Sequence, residues 1–222
     1  MCIRDSVTGY IGNQAQIGVV DTATGELVTT IPVGGSPVAL ALSPDGRLVY
    51  ASDLDGVVKV INVETQSVTP VSVGNAPYAL AVSPDGTRVY VANMFDDTIT
   101  VIDATTNEHI DTIDTGLFPR GVAVSPDGRY VYATNDGDGT VSVFDTLADN
   151  AMVDTFVVGA SPTGVAVSPD GKRLYVTNFD GSSLSAIDLA SRIVTTVTVG
   201  QGPTGVTTSP DGAYAYLSLI HI

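Results

Sequence analysis

Tryptophan is absent from the 222 residues, cysteine occurs once, histidine twice and methionine three times. The one cysteine, Cys2, sits in a terminal hexapeptide that is set aside below. The remaining chain therefore has no disulfide framework, no paired-cysteine metal site and no thiol nucleophile. Basic residues are scarce, nine against 24 acidic, for a net charge of −15. Phosphate backbones are bound through lysine and arginine, so no nucleic-acid partner is expected. No apolar run approaches the ~20 residues that a spanning helix needs, so no membrane span is expected in this segment. No stretch of ten or more residues carries a helical apolar stripe. His-Glu-x-x-His, Gly-x-Ser-x-Gly and Walker sequences are all missing. His109 stands alone, which excludes heme ligation or a Ser-His-Asp triad for want of partners. No cofactor is expected.

What the chain has is repetition. Ser-Pro-Asp-Gly occurs at Ser43–Gly46, Ser83–Gly86, Ser125–Gly128, Ser168–Gly171 and Ser209–Gly212, at separations of 40, 42, 43 and 41. Upstream of each lies Gly-x-x-Pro, ending at Pro37, Pro77, Pro119, Pro162 and Pro203. Downstream comes a tyrosine tetrapeptide: YASD from Tyr50, YVAN from Tyr90, YATN from Tyr132 and YVTN from Tyr175, with an earlier YIGN from Tyr10. An apolar run ending in Asp or Asn follows. Repeats near this period indicate solenoids or propellers.

Each unit holds four apolar runs of strand length, rich in Val, Ile, Thr and Tyr and bounded by turn residues. In the unit from Pro77 these are Tyr78–Val82, Arg88–Ala92, Thr98–Ile102 and about His109–Ile113. Ser-Pro-Asp-Gly suits a type I turn. The Asp-Gly turns between second and third runs predict hairpins whose two central residues both take positive φ. Small residues two positions after each Gly-x-x-Pro proline fit a first strand crowded against a central axis. The expectation is an all-β protein, a β-propeller of four-stranded antiparallel blades. Four complete blades fall near 37–73, 77–115, 119–158 and 162–199, with partial blades at each end.

The two ends are expected to be foreign. A codon reading of MCIRDS, reverse-complemented, yields Leu-Ser-Leu-Ile-His, which is the closing LSLIHI. Residues 1–6 and 217–222 are accordingly read as translated sequencing adapter. Residues 7–216 are read as one incomplete propeller domain. Pairing the last strand with the first three would close five blades; accidental cuts favour a larger ring.

Three motifs in fixed order, five times over, resemble the YVTN-family β-propeller repeat across essentially all of 7–216. The resemblance implies a seven-bladed, extracytoplasmic protein, periplasmic (YncE-like), secreted or cell-surface, with lactonase-like propellers as more distant kin. A chain made almost wholly of repeat, without a catalytic cluster, is expected to be a non-enzymatic scaffold that binds a protein, glycan or small ligand at its mouth face. The alternatives are a lactonase-like or metal-assisted hydrolase or isomerase, and a structural module of a larger surface protein.

Hairpin direction sorts the loops onto two faces. The Ser-Pro-Asp-Gly turns share one face. The Asp-rich turns (Asp53, Asp55, Asp96, Asp97, Asp136, Asp138, Asp180) and the Gly-x-x-Pro connections share the other, around the channel mouth. Met94, Phe95, Leu117, Phe118 and Phe179 belong to that face too. The residue after each Gly-x-x-Pro proline is expected to look into the mouth: Val38, Tyr78, Arg120, Thr163 and Thr204. Tyr78, Arg120, Phe118, Phe95, Thr163 and Val38 form the candidate ligand site, in which Arg120 beside aromatics would grip a carboxylate or phosphate. The blander reading pairs Arg120 with Asp96 or Asp97. Asp136 and Asp138 are weak metal candidates: their turn begins like a calcium loop but lacks its third ligand and closing Glu. The repeated tyrosines are expected to pack between blades, their hydroxyls finding partners there. Asp21, Asn62, Asp103, Asp145 and Asp188 are expected to cap the turns that follow them.

Overall fold

The computed structural model describes residues 15–220, so the YIGN copy at Tyr10 and residues 1–6 lie outside the described residues. A leading hairpin joins β1 (Gln16–Val20) to β2 (Leu27–Pro32). The first complete blade contains β3 (Pro37–Leu42), β4 (Leu48–Asp53), β5 (Val57–Asn62) and β6 (Val68–Ser72). The second contains β7 (Pro77–Val82), β8 (Arg88–Asn93), β9 (Thr98–Asp103) and β10 (Glu108–Asp114). The third contains β11 (Pro119–Val124), β12 (Tyr130–Asn135), β13 (Thr140–Asp145) and β14 (Ala151–Val157). The fourth contains β15 (Pro162–Val167), β16 (Arg173–Asn178), β17 (Ser183–Asp188) and β18 (Ile193–Thr198). A trailing hairpin follows, β19 (Pro203–Thr208) and β20 (Ala215–Leu219). Every blade is antiparallel and ordered as in sequence. The architecture is a β-propeller of four-stranded blades. The leading and trailing hairpins are separate two-stranded sheets and do not complete one another's blade. Residues 217–219, set aside on sequence grounds, continue β20 in register with β19.

The packing explains why the repeat is needed. β8 alternates sides: Val89 and Val91 face the first blade, where they join Tyr50, Val58, Val60 and Val71. Tyr90 and Ala92 face the third, where they meet Val122, Val131, Ala133 and Phe144. The same pattern recurs between third and fourth blades and between leading hairpin and first blade. A lone sheet would leave both faces in water. Stacked as spokes, each middle strand is buried on both sides, worth roughly 1.5–3 kcal/mol for each fully buried large aliphatic or aromatic side chain. Successive first strands β3, β7, β11, β15 and β19 lie side by side around the axis. A Cβ on Gly121 would meet Thr163 O at 2.2 Å, and one on Gly164 would meet Thr204 O at 2.3 Å. Small residues are required where first strands converge.

Ser-Pro-Asp-Gly is a closed hydrogen-bond unit. In all five copies the serine hydroxyl donates to the aspartate at 2.5–2.6 Å. The same hydroxyl accepts a backbone N–H five residues on, at 2.8–3.0 Å. The aspartate accepts the N–H two residues on. The glycine is left-handed, with φ between 69° and 76° in all five copies, a backbone that glycine adopts without a Cβ penalty.

On the opposite face a buried amide joins two motifs that look independent in the sequence. Asn93 Nδ2 donates to Thr98 and Thr100 hydroxyls, Asn135 Nδ2 to Thr140 and Ser142, and Asn178 Nδ2 to Ser183 and Ser185, all at 2.9–3.0 Å. Gly74, Gly116 and Gly159 of Gly-x-x-Pro lie directly on these amides; a Cβ there would come within 2.5–2.6 Å of an asparagine side chain. In blades two to four the Asn of one motif is thus why the other begins with Gly; at Gly34 a Cβ would meet nothing within 4 Å, and at Gly200 it would meet Leu219.

Two expectations are corrected. The Asp-Gly hairpins have one left-handed residue each, not two: Gly56, Asp97, Gly139 and Ser182, the last of each turn. The three- and four-residue loops let the earlier residues keep ordinary backbone angles. The Tyr50 hydroxyl is fully buried without a hydrogen-bond partner; ring packing outweighs that omission, and burial raises the Tyr50 and Tyr90 hydroxyls and pushes Tyr132 up to about 12. The capping residues Asp21, Asn62, Asp103, Asp145 and Asp188 behave as expected; the turn that Asp145 caps is a short 3-10 turn, Thr146–Ala148.

Candidate functional site at the channel mouth

Each blade's first strand enters through a Gly-x-x-Pro connection, and the proline position shifts the register of β3, β7, β11, β15 and β19 against their partners. The next side chain consequently turns toward the axis. Val38, Tyr78, Arg120, Thr163 and Thr204, taken from five successive strands, line one cavity of about 380 Å³. Its wall is largely apolar, with Val122, Val165, Val206, Phe179 and Ile220.

Within it the Arg120 guanidinium stands 5.5 Å over the Tyr78 ring, a cation–π arrangement. Arg120 Nε lies 3.1 Å from Asp136 Oδ2. The contact is an ion pair without an aligned hydrogen bond, and Asp136 Oδ1 is buried without a protein partner. Tyr78 is 39 % exposed. Thr163 is buried, its hydroxyl 3.1 Å from both Thr177 Oγ1 and Thr204 O, so it ties the fourth blade to the trailing hairpin.

Four of the six expected ligand residues, Val38, Tyr78, Arg120 and Thr163, are therefore brought together. Phe118 and Phe95 are not. Phe118 has left-handed backbone (φ 55°), its N–H donates to Asp97 Oδ1 at 2.8 Å, and its ring covers the turn at Gly137. Phe95 sits on the outer loop, 60 % exposed. The sequence proximity of Phe118 to Arg120 carried no information about direction, because the connection turns through left-handed backbone just before the proline. Phe179, on a turn, reaches the cavity instead.

Arg120 pairs with Asp136, not with Asp96 or Asp97. Asp96 Oδ2 accepts from Asn75 N at 2.6 Å, and Asp138 Oδ2 accepts from Leu117 N at 2.7 Å. Asp180 Oδ2 accepts from the Ser161 hydroxyl at 2.6 Å. The acidic ring of the mouth face mostly clasps the Gly-x-x-Pro connections. Asp136 and Asp138 are committed to different partners. Among the described residues no group of three or more His, Cys, Asp or Glu could hold a metal ion. No described helix is long and apolar enough to cross a membrane.

The family described as Lactonase, 7-bladed beta-propeller, matches residues 55–155. The WD domain, G-beta repeat, matches residues 25–62. The U3 small nucleolar RNA-associated protein 18 homolog of Arabidopsis thaliana is 40% identical over 63 residues, which cover 28% of this chain and 12% of that protein. Among solved structures, a functionally unknown protein from Desulfotomaculum acetoxidans DSM 771 superposes with TM-score 0.81 at 20% identity, over 92% of this chain and 69% of that one. Kuenenia stuttgartiensis Hydrazine Synthase superposes with TM-score 0.58 at 20% identity, over 92% of this chain and 86% of that one. At such identity the likeness shows the fold: a propeller built from repeats.

Proposed function

We propose that this propeller is a non-enzymatic binding scaffold of the YVTN type, YncE-like and working outside the cytoplasm. It takes a protein, glycan or small ligand at the channel mouth. One observation carries the reading. A single register position, occupied by Val38, Tyr78, Arg120, Thr163 and Thr204, lines one cavity, yet it carries four different residue types across five strands while the surrounding motifs recur. Construction asks for the same residue each time; recognition asks for different ones. The proposed ring is larger than the described blades, and this chain covers 69% of its solved neighbour. The test is thermal-shift screening of the 222-residue chain against small carboxylates, sugar phosphates and oligosaccharides, followed by calorimetry. A ligand whose binding falls about tenfold or more in Arg120→Ala and Tyr78→Ala supports the site. Undiminished binding in both variants removes it.

The lactonase match over 55–155 favours a second reading, a metal-assisted lactone hydrolase at the same mouth. Fold-level likeness is weak warrant for chemistry, and Asp96 and Asp138 are held by backbone N–H groups. Turnover of a lactone panel that EDTA abolishes and added divalent metal restores would establish it over the first.

A further inference from the structure

A cavity of about 880 Å³, larger than that of the mouth, lies elsewhere. It is a groove on the Ser-Pro-Asp-Gly face, between the second and third blades. The equivalent groove between third and fourth blades is about 230 Å³. That between the fourth blade and the trailing hairpin is about 520 Å³. Only the first of the three is walled by residues of the loop after β13. Where the corresponding loops of the other blades carry only plain turns, this one makes the 3-10 turn Thr146–Ala148 and then two consecutive left-handed residues, Asp149 and Asn150 (φ 56° each). Asn150 Nδ2 reaches across to Asp111 Oδ2 at 3.0 Å, pinning the loop to β10 of the neighbouring blade.

The pinned loop holds Leu147 out into the groove, 80 % exposed, with Ile110 47 % exposed on the wall formed by β10. The groove's two cations are already neutralised: Arg88 pairs with Asp103 and Arg129 with Asp145, both at 2.9 Å. Asp85, Asp111, Asp127 and Asp149 also line it, and none has an ion-pair partner within 4 Å among the described residues. Hydrogen bonds from the Ser83 and Ser125 hydroxyls hold Asp85 and Asp127 below the usual carboxylate range. The trough is thus open and net negative, with two apolar contact points. That combination complements a chain bearing alternating cationic and apolar side chains.

We propose that this groove docks an extended lysine- or arginine-bearing peptide segment of a partner protein, with Leu147 and Ile110 as its apolar contacts and the four carboxylates as its charge complement. The site is separate from the channel mouth and does not depend on what binds there.

The probe is a fluorescein-labelled peptide of alternating lysine and leucine, seven residues long, read by anisotropy with the 222-residue chain in about 0.15 M salt, where long-range surface attraction is largely screened. Binding is expected to fall about tenfold in Leu147→Ser, which changes no charge, and by at least as much in Asp111→Asn/Asp149→Asn. Glu26→Gln/Glu64→Gln removes the same charge from distant turns and is expected to leave binding unchanged. Thermal melts of each variant report folding; Leu147 is exposed enough that its replacement leaves the core alone. No binding, binding indifferent to Leu147→Ser, an equal loss in the Glu26/Glu64 control, or equally tight binding of spermine each overturns the proposal.

Discussion

The first blade and the three after it solve one problem with different chemistry. At the end of the second strand, blades two to four bury an asparagine that donates to two hydroxyls on the third strand. The first blade puts Asp53 there, with Lys59 at the position of Thr100, Ser142 and Ser185. Both side chains are buried: Asp53 bonds Lys59 and the N–H groups of Ser36 and Asp55, and Lys59 also reaches Gly34 O. The backbone asks for a hydrogen-bonding hub that clasps the Gly-x-x-Pro connection; it does not ask for charge. A buried pair is costly to desolvate, and breaking one is costlier than replacing it whole.

Four experiments sharpen that comparison. The largest effect is expected from Asp53→Ala, which strands a buried ammonium and should lower unfolding free energy by about 3–5 kcal/mol in urea titrations. Asn135→Ala leaves Thr140 and Ser142 unpaired in a neutral setting and should cost about 1–3 kcal/mol. A loss as large as that of Asp53→Ala would mean charge is not what separates the blades.

The exchange Asp53→Asn/Lys59→Thr converts the first blade to the chemistry of its neighbours and should leave the chain no less stable. It should also change the acid limb. Burial alone would raise the Asp53 carboxyl, but Lys59 and the backbone N–H groups outweigh it and hold the group below its ordinary value of 3.8. The folded state then binds fewer protons than the unfolded, so Asp53 stabilises the fold above about pH 4 and that contribution is lost as pH falls below 3.8. The exchange should flatten the pH dependence of the melt there without abolishing it. The five Ser-Pro-Asp-Gly carboxylates are lowered as well, chiefly by their serine hydroxyls, and keep part of the slope. An unchanged slope would remove Asp53 from the account.

The smallest effect concerns the seams between blades. Ser52 donates to Tyr78 O, Thr134 to Thr163 O and Thr177 to Thr204 O. The second blade has Ala92 at that position and no such tie. Ala92→Ser copies the first blade's arrangement, Ser52 beside Ala39, and should add about 0.5–1 kcal/mol; a loss would show that the second seam is packed too closely for an oxygen.

Much of this was readable from residues alone. Apolar runs bounded by turn residues located the strands to within a residue or two, as in the unit from Pro77. The position after each proline predicted the five cavity-lining side chains, because strand periodicity is strict and the register repeats. Direction failed where the chain turns. Phe118 precedes its proline in left-handed backbone, so its ring lies on Gly137, away from Arg120. In residues 217–219, which pair with β19, Ser218 Oγ accepts from Gly205 N as Thr134 and Thr177 accept from Gly121 N and Gly164 N, although Leu219 stands where blades two to four carry an asparagine.

The sequence by itself determined a repeating four-stranded unit and its turn chemistry, since hydrophobic period, proline and glycine act over a few neighbours. Only the tertiary structure decided which aspartate holds Arg120, why Gly-x-x-Pro needs its glycine in blades two to four, and that a groove larger than the mouth cavity opens on the Ser-Pro-Asp-Gly face. Those outcomes depend on atoms brought within a few ångströms of one another from some 15 to 40 residues apart, a distance that local preference does not reach.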